Sequence, residues 1–348
     1  MKLTTALALL GLAVLLLLAL QLWWSARRSR PRQAEDPAPR VDPTMGGEVP
    51  RDGGPDTEPD SDAAVLRPTP RRAAKLDALI DAIVPLALES PITGELAISH
   101  LPPSRRAGSK PFAIEGLDAE SGDWAPLAPG QRYSELQAGV QLANRSGALN
   151  EIEYSEFLQK VQAFAEAVGA SIDGAGAPDM LEVVARAREL DSMASPLDAQ
   201  LTVTLRTNAV AWSVSYLNQI AARQGFQHGV VPGRLVLPSG EEGAPPMLVL
   251  ALDAQAALAE DPQSSVVSVC TLSLDVPQTP AAREPFPAWH LAARKLADDL
   301  DATLGDDRGE PITLQAFAGI GQELDGLYLR LEALGLAAGT AAARRVFS

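Results

Sequence analysis

The sequence contains few residues of the kinds that bind metals or form disulfides. It has one cysteine, Cys270, and three histidines, at positions 100, 228 and 290. A single cysteine cannot form a disulfide within the chain, which is typical of a reducing compartment, and its apolar surroundings predict a buried thiol. The histidines are too far apart in sequence for a closely spaced metal-binding pair. We therefore expect no metal site and no disulfide framework.

The chain also lacks the usual catalytic and nucleotide-binding motifs. It contains no GxSxG and no P-loop. The Gly-x-Gly of GIGQEL (319–324) lies within a helical pattern rather than after a strand, so it does not favour a dinucleotide loop. Positive charge is scarce, since 29 Lys and Arg face 44 Asp and Glu for a net charge of -15. This balance argues against nucleic-acid binding, and we expect no cofactor.

An acidic cluster within residues 298–307 leaves an enzymatic alternative open, because several neighbouring carboxylates can hold a divalent cation. We interpret the cluster instead as the solvated face of a helix and its turn, since Leu296 and Leu300 would take the buried side. Its members are Asp298, Asp299, Asp301, Asp306 and Asp307.

One long apolar run stands at the N-terminus. From Leu3 to Trp24 there is no charged residue, and a helix of this length measures roughly 33 Å, enough to span a bilayer. A cleaved signal peptide is the alternative, but the run is too long for one and ends in Leu22, Trp23 and Trp24 without a small-residue cleavage site. The sequence predicts an uncleaved transmembrane anchor over residues 1–25.

The flanks of this run predict its orientation. One lysine precedes it, whereas Arg27 and Arg28 follow at once and two more arginines come shortly after. Cytoplasmic flanks carry the excess of Lys and Arg, so we expect a single-pass protein of the inner membrane with a periplasmic N-terminus and a cytoplasmic body. Trp23, Trp24 and these arginines would contact inner-membrane lipid at the headgroup level.

Residues 26–74 are rich in Pro, Gly and charged residues and nearly lack large apolar side chains. Such a segment cannot bury enough surface to offset its ordering entropy, so we expect a disordered linker. As a coil it would span roughly 40 Å. The sequence thus predicts a tether between the anchor and the folded body.

The remaining chain shows an internal repeat. Residues 140–172 align without a gap to residues 272–304, and the large apolar positions coincide although few residues are identical. A conserved interior demands size and apolarity more than identity, so the match indicates two diverged copies of one folded unit. The coinciding pairs include Val140 with Leu272, Phe157 with Trp289, Phe164 with Leu296, and Ile172 with Leu304.

Periodicity within the copies predicts an α+β fold with antiparallel sheets and helices on one face. We place the first copy at 75–195 and the second at 196–348. QLTVTLR (200–206) alternates as a half-buried strand, and long helices are expected near 151–168 and 285–301. After the second of these helices the sequence allows either a strand or a loop. The insertion SRRAGSK (104–110) and Pro85 are expected to interrupt the first copy.

Three segments of the second copy, together with the architecture of one span, a Pro-rich linker and a C-terminal α+β unit, carry a family resemblance: QLTVTLR, TLSLDVP and AARKLADDLDATLGDDRGEPITLQAF. In these features the chain resembles the ZipA family, the membrane tethers of the tubulin-like division GTPase FtsZ in proteobacteria. GELAISHL (94–101) is similar to the start of the family's first helix. The resemblance covers about 200–332 well and 79–192 more loosely.

The resemblance implies a helix-free sheet face that binds a short apolar peptide from the C-terminus of FtsZ. The sequence departs from the family here, because the implied positions mix Val and Met with Thr and Ser instead of several large apolar side chains. The positions implied for the second copy are Thr202, Thr204, Val236, Met247, Val249, Val269, Thr271 and Ser273.

The sequence therefore favours a non-enzymatic adaptor of bacterial cell division that tethers FtsZ polymers to the inner membrane. Two alternatives remain open, namely a membrane-anchored interaction protein of the same fold with another partner, and an enzyme built around the acidic cluster. The first copy is expected to act as a structural platform. The oligomeric state, and whether both copies bind, are not indicated by the sequence.

Overall fold

Two large antiparallel sheets, each with helices packed against it, and two short two-stranded sheets form the part of the chain described by a computed structural model. The α+β class with antiparallel sheets is thereby confirmed. These residues belong to one compact unit, Asp62–Ser348. The predicted anchor (1–25) and linker (26–74) lie outside the described residues. The described residues are 76–172, 176–241, 243–258, 265–306, 310–312 and 314–348.

The elements of the first repeat in chain order are β1 (Asp81–Leu88), β2 (Ile92–Thr93), α1 (Gly94–Ser99), β3 (Arg106–Ala107), β4 (Lys110–Asp118), β5 (Trp124–Pro126), β6 (Arg132–Gln141), β7 (Ala143–Asn144), β8 (Gly147–Ala148), α2 (Glu151–Val168), β9 (Ala170–Ile172) and α3 (Met180–Ala194). Helix α2 begins at a capping box in which Asn150 and Glu153 each accept a hydrogen bond from the other's backbone amide. It ends at Gly169, whose φ of 71° suits glycine. The predicted bounds of this helix are confirmed.

The elements of the second repeat are β10 (Gln200–Thr207), β11 (Trp212–Ser213), α4 (Val214–Arg223), β12 (Gln227–His228), β13 (Arg234–Leu237), β14 (Leu248–Ala251), α5 (Ala254–Ala257), β15 (Val266–Val267), β16 (Val269–Asp275), α6 (Pro285–Leu300), β17 (Ala302–Gly305), α7 (Leu314–Ala333) and α8 (Ala341–Val346). Helix α6 corresponds to α2, but it ends at Asp301, with a φ of 49°. A non-glycine residue therefore holds the left-handed conformation that Gly169 holds in the first repeat.

The two main sheets share an order of strands. The first runs β3-β4-β6-β1-β9, with β5 beside β4 and β2 beside β6, and the second runs β12-β13-β14-β16-β10-β17. The core order β4-β6-β1-β9 thus corresponds to β14-β16-β10-β17. In each repeat the first strand is central and pairs antiparallel with the strands before and after the long helix.

The order of the strands agrees with the gapless alignment of residues 140–172 with residues 272–304. Aligned residues occupy the same strands of the two sheets and face the first strand of their own repeat. The segment after α6, for which the sequence allowed a strand or a loop, is the strand β17. Val140 pairs with Ala82 and Ile172 with Leu86, whereas Leu272 pairs with Val203 and Leu304 with Leu205, so the partners are four residues apart on β1 and two apart on β10.

The core of each repeat lies between its sheet and its long helix. Phe112 of β4 meets Phe157 of α2 edge to face, with ring centroids 5.5 Å apart. Trp289, aligned with Phe157, is 1% exposed on α6, and its Nε1 donates to the Leu272 carbonyl at 3.3 Å. Aromatic side chains bury about 150–250 Å² each, so this aligned pair contributes much of the packing.

The prediction that SRRAGSK (104–110) interrupts the first repeat is wrong. The segment forms the hairpin between β3 and β4. The Gly108 amide donates to Glu156 at 2.9 Å, the Ser109 amide donates to Glu153 at 2.8 Å, and Lys160 donates to the Arg106 carbonyl at 2.7 Å. Helix α2 therefore anchors a segment whose local composition resembles a loop.

Pro85 does not break the first repeat either, because it lies within β1, opposite Gln137, and is exposed.

Candidate peptide-binding face

One face of the second sheet points away from the helices. Along β10, Val203 and Leu205 are completely buried, and Thr204 between them is only partly buried. Successive side chains of a strand point to opposite faces, and the same alternation recurs on β14 and β16. We call this outward surface the second face. Thr202 is exposed, and the other residues implied by the resemblance are partly buried: Thr204, Val236, Met247, Val249, Val269, Thr271 and Ser273.

Strand register arranges these residues in rows across the sheet. Directly opposed side chains have Cβ atoms about 4.5–5.5 Å apart, so each row is a continuous surface. The first row crosses β10, β16, β14 and β13 and consists of Thr202, Ser273, Val249 and Val236. In the second row, Thr204 lies opposite Thr271, which in turn lies opposite Ala251.

The second face is shallow, because its side chains are small and β-branched or hydroxylic. The Ser273 hydroxyl donates to the Val249 carbonyl at 3.3 Å, so part of the polar capacity is used within the sheet. Such a surface can contact an extended peptide over Val236 and Val249, each buried square ångström contributing about 25 cal/mol. Met247, which the resemblance placed on this face, precedes β14 and packs against the hydrophobic core. A groove of about 390 Å³ lies beside Val269 at the start of β16, between α5 and β15.

Arg145 of the first repeat closes one end of the second face. It lies between β7 and β8, and its guanidinium donates to the two carboxylate oxygens of Asp275 at 2.7 and 3.0 Å. It also donates to Asp198, in the connector between the repeats, at 2.6, 2.9 and 3.2 Å. Sequence reasoning missed this clamp, because Arg145 is 53 residues from Asp198 and 130 from Asp275. The face is therefore bounded by a contact between the repeats.

The corresponding outward surface of the first sheet, the first face, is covered by the chain itself. A Cβ built on Gly139 of β6 would lie 2.6 Å from Cδ2 of Leu76. The Leu76 amide donates to Glu115 Oε1 at 3.0 Å, and Gln137 Nε2 donates to Glu115 Oε2 at 3.1 Å. Glu115 is only 2% exposed, although it points to the helix-free side. Leu76 thus seals the middle of the first face.

The last helix covers the neighbouring part of the first face. Arg345 of α8 donates to both carboxylate oxygens of Asp81, one of them at 2.8 Å. Gln141, opposite Asp81 across the sheet, donates to the Arg345 carbonyl at 2.6 Å. Neither Asp81 nor Gln141 is more than 1% exposed. The two outward faces therefore differ, since segments near both ends of the described chain lie on the first.

A groove of about 390 Å³ opens between α6 and α7, on the helical side of the second sheet. Phe286, Phe317 and Tyr328 line it, and His290 stacks on Phe317 with ring centroids 4.3 Å apart. Burial, together with the charge of Arg294, lowers the pKa of His290 below its ordinary value. The aromatic lining suits apolar contacts.

A buried polar network joins the β3–β4 hairpin to α2. Lys110 is completely buried, and its Nζ donates to Asn144 at 2.7 Å and to the Ser109 hydroxyl at 2.9 Å. Ser109 Oγ donates to Glu153 at 2.8 Å. Burial lowers the pKa of Lys110; burial alone would raise the pKa of Glu153, but hydrogen bonds from Ser109 lower it. Every member is engaged, which is typical of a structural network.

No three His, Cys, Asp or Glu side chains among the described residues lie close enough together to hold a metal ion. His100 and His228 are exposed. The acidic cluster occupies the end of α6 and the β17 turn, and Leu296 and Leu300 take the buried side as expected. Its member Asp307 lies outside the described residues.

The proposed membrane segment cannot be placed, because Leu3, Leu22, Trp23, Trp24, Arg27 and Arg28 lie outside the described residues. Of the helices that are described, none combines the length and apolarity needed to cross a bilayer. No protein-family model matches the chain, and a search of curated proteins finds no significant match.

Proposed function

We propose that the chain is a membrane-tethered adaptor whose second face binds an extended peptide of a partner, as ZipA-family proteins bind the C-terminus of FtsZ. The observation that carries the proposal is the row of Thr202, Ser273, Val249 and Val236. It lies on the helix-free side of an antiparallel sheet, where the resemblance implies a peptide site. The function is binding rather than catalysis.

The second face suits a weak and readily reversible contact. Its apolar atoms come from Val236 and Val249, and an extended peptide laid over them gains a modest apolar contribution of about 25 cal/mol per Å². Association also costs translational and side-chain freedom, so a shallow face yields low affinity for a single peptide.

The tether proposed from the sequence compensates for that weakness. A linker of residues 26–74 would confine the folded unit to within tens of ångströms of the bilayer. When a partner polymer presents many peptides, each further contact forms at a high effective concentration. Many weak sites then hold one filament at the inner membrane while single contacts exchange.

We assign different roles to the two repeats because their outward faces differ. Leu76 and Arg345 cover the middle and one end of the first face, whereas Arg145 meets the second face only at its edge. We assign the second repeat to binding and the first to support, with Arg145 joining them at the edge of the face.

The test is a fluorescence anisotropy titration of a labelled peptide from the C-terminus of the same organism's FtsZ with residues 62–348. Both repeats stay in the protein, because Arg145 and Arg345 cross between them. We expect saturable binding that Val249→Glu weakens, since the new carboxylate lies in the middle of the first row. Leu291→Glu is the matched control, because Leu291 is 55% exposed on α6, away from the second face.

Two results would count against the proposal. Equal losses for Val249→Glu and Leu291→Glu would remove the second face as the site. The absence of any binding would remove the FtsZ peptide and leave an adaptor with a different partner, to be sought with the same pair of variants after crosslinking.

A further inference from the structure

The contacts of Asp77 and Leu76 show in which direction the chain runs over the first face. The Asp77 amide donates to Asp81 at 2.9 Å, beside β6 residue Gln141, while the Leu76 side chain lies two residues along β6, over Gly139. The Leu76 amide donates to Glu115, which lies opposite Gln137, a further two residues along. Traced backwards, the chain therefore crosses the rows of the first face one after another.

The next row in that direction contains two apolar side chains that remain partly exposed. Leu117 lies opposite Trp124 on β5 and opposite Glu135 on β6. Leu117 and Trp124 are partly buried and Glu135 is exposed. An indole beside a leucine on a sheet face is a favourable contact for apolar side chains and for cations.

This end of the first face also carries negative charge. Glu120 and Asp123, in the turn that joins β4 to β5, are exposed, as is Glu135. Arg132, at the start of β6, is an exposed cation nearby, and the carboxylates remain in excess. A basic segment would therefore be attracted to this row.

The residues that precede Leu76 have the complementary composition. The segment LRPTPRRAAK (66–75) contains four cations, at positions 67, 71, 72 and 75, and no acidic residue. We propose that residues 66–75 of the chain itself occupy the Leu117–Trp124–Glu135 row of the first face. The first face is thus a peptide site filled in cis, with Leu76 as its last anchored side chain. This inference does not rest on the proposed function.

The test is photo-crosslinking in the full-length chain, purified in detergent, with benzoylphenylalanine in place of Arg72. We expect crosslinks within one chain to the peptides that contain residues 115–135. The matched control places the same probe at Arg40, an arginine of the same linker far from Leu76 in sequence. Gly139→Leu, which drives Leu76 off β6, should reduce the Arg72 yield to the level of the Arg40 control.

The reciprocal experiment places the probe at Glu135, which keeps the test valid if the Arg72 variant folds poorly. It should label residues 66–75. An Arg72 yield no higher than that of Arg40 would overturn the proposal, and crosslinks between two chains would assign the row to a second copy instead. Gly319→Ala, at a helical glycine with open space around it, controls for substitution as such.

Discussion

Arg145 of the first repeat and Asp275 of the second are joined by two parallel hydrogen bonds of 2.7 and 3.0 Å. The same guanidinium binds Asp198, and all three side chains are about one quarter exposed. Arg145→Ala should lower the free energy of unfolding by about 1–3 kcal/mol, because forked bonds between charged groups are lost from a half-screened site. Urea denaturation of residues 62–348 measures the change.

The free energy of unfolding of Arg145→Lys should lie between those of the unchanged protein and Arg145→Ala, since lysine keeps the positive charge but cannot form two parallel hydrogen bonds. Arg188→Ala is the control, because its pair with Glu151 is largely exposed and should contribute less than about 0.5 kcal/mol. Equal effects of Arg145→Ala and Arg188→Ala would show that the clamp does not stabilise the unit.

Asp301 has the left-handed backbone conformation that ends α6, at the position where the first repeat has Gly169. Its side chain accepts from Asn208 at 3.0 Å, so two substitutions are needed to separate the backbone from the side chain. Asp301→Gly and Asp301→Ala both lose that bond, but only glycine tolerates a φ of 49° without strain. Glycine should be the more stable by about 1 kcal/mol in thermal unfolding, and equal stability would contradict a strained stop.

Trp212 contributes to the same helix end. Its Nε1 donates to the Leu300 carbonyl at 2.7 Å from a side chain that is 5% exposed. Trp212→Phe leaves this carbonyl without the indole donor in a buried setting and should cost about 1–3 kcal/mol of unfolding free energy. Tyr216→Phe is the control, since the Tyr216 hydroxyl donates to the nearby Asp299 carbonyl from an exposed position. A smaller loss for Trp212→Phe than for Tyr216→Phe would refute the argument.

Cys270 should not react with iodoacetamide at pH 8 in the folded protein. Burial raises the pKa of its thiol to about 12, so the reactive thiolate is absent until the chain unfolds. Above pH 9 the unfolded chain loses this proton and the folded one keeps it. Stability should therefore fall by up to about 1.4 kcal/mol per pH unit between about pH 9 and 12, and Cys270→Ala should remove that part of the slope. Rapid labelling under native conditions would contradict the burial.

Local sequence pattern predicts the elements of this fold well, because each long helix and each alternating strand shows a hydrophobic periodicity along the sequence. Helix α2 has the predicted bounds, and the alternation of β10 assigns Val203 and Leu205 to the core. The strands β9 and β17 are too short to show a period of their own. They are strands because the first strand of each repeat offers them an open edge.

The sequence could not show how the two repeats meet. Arg145 and Arg345 look like surface cations in their local context, and the partners that bury them are distant in the chain. The same applies to Glu115, which reads as an outward residue of β4 and is outward, yet is buried by Leu76. Periodicity assigns a side chain to one side of a sheet, but it does not reveal what covers that side.

Asp81 receives the amide of Asp77, near the beginning of the described unit, and the guanidinium of Arg345, near its end. The residues near the two ends of the described unit therefore both contact the Asp81 side chain, so the two ends lie close together. A circularly permuted chain that joins these two ends with a short linker requires little extra loop entropy.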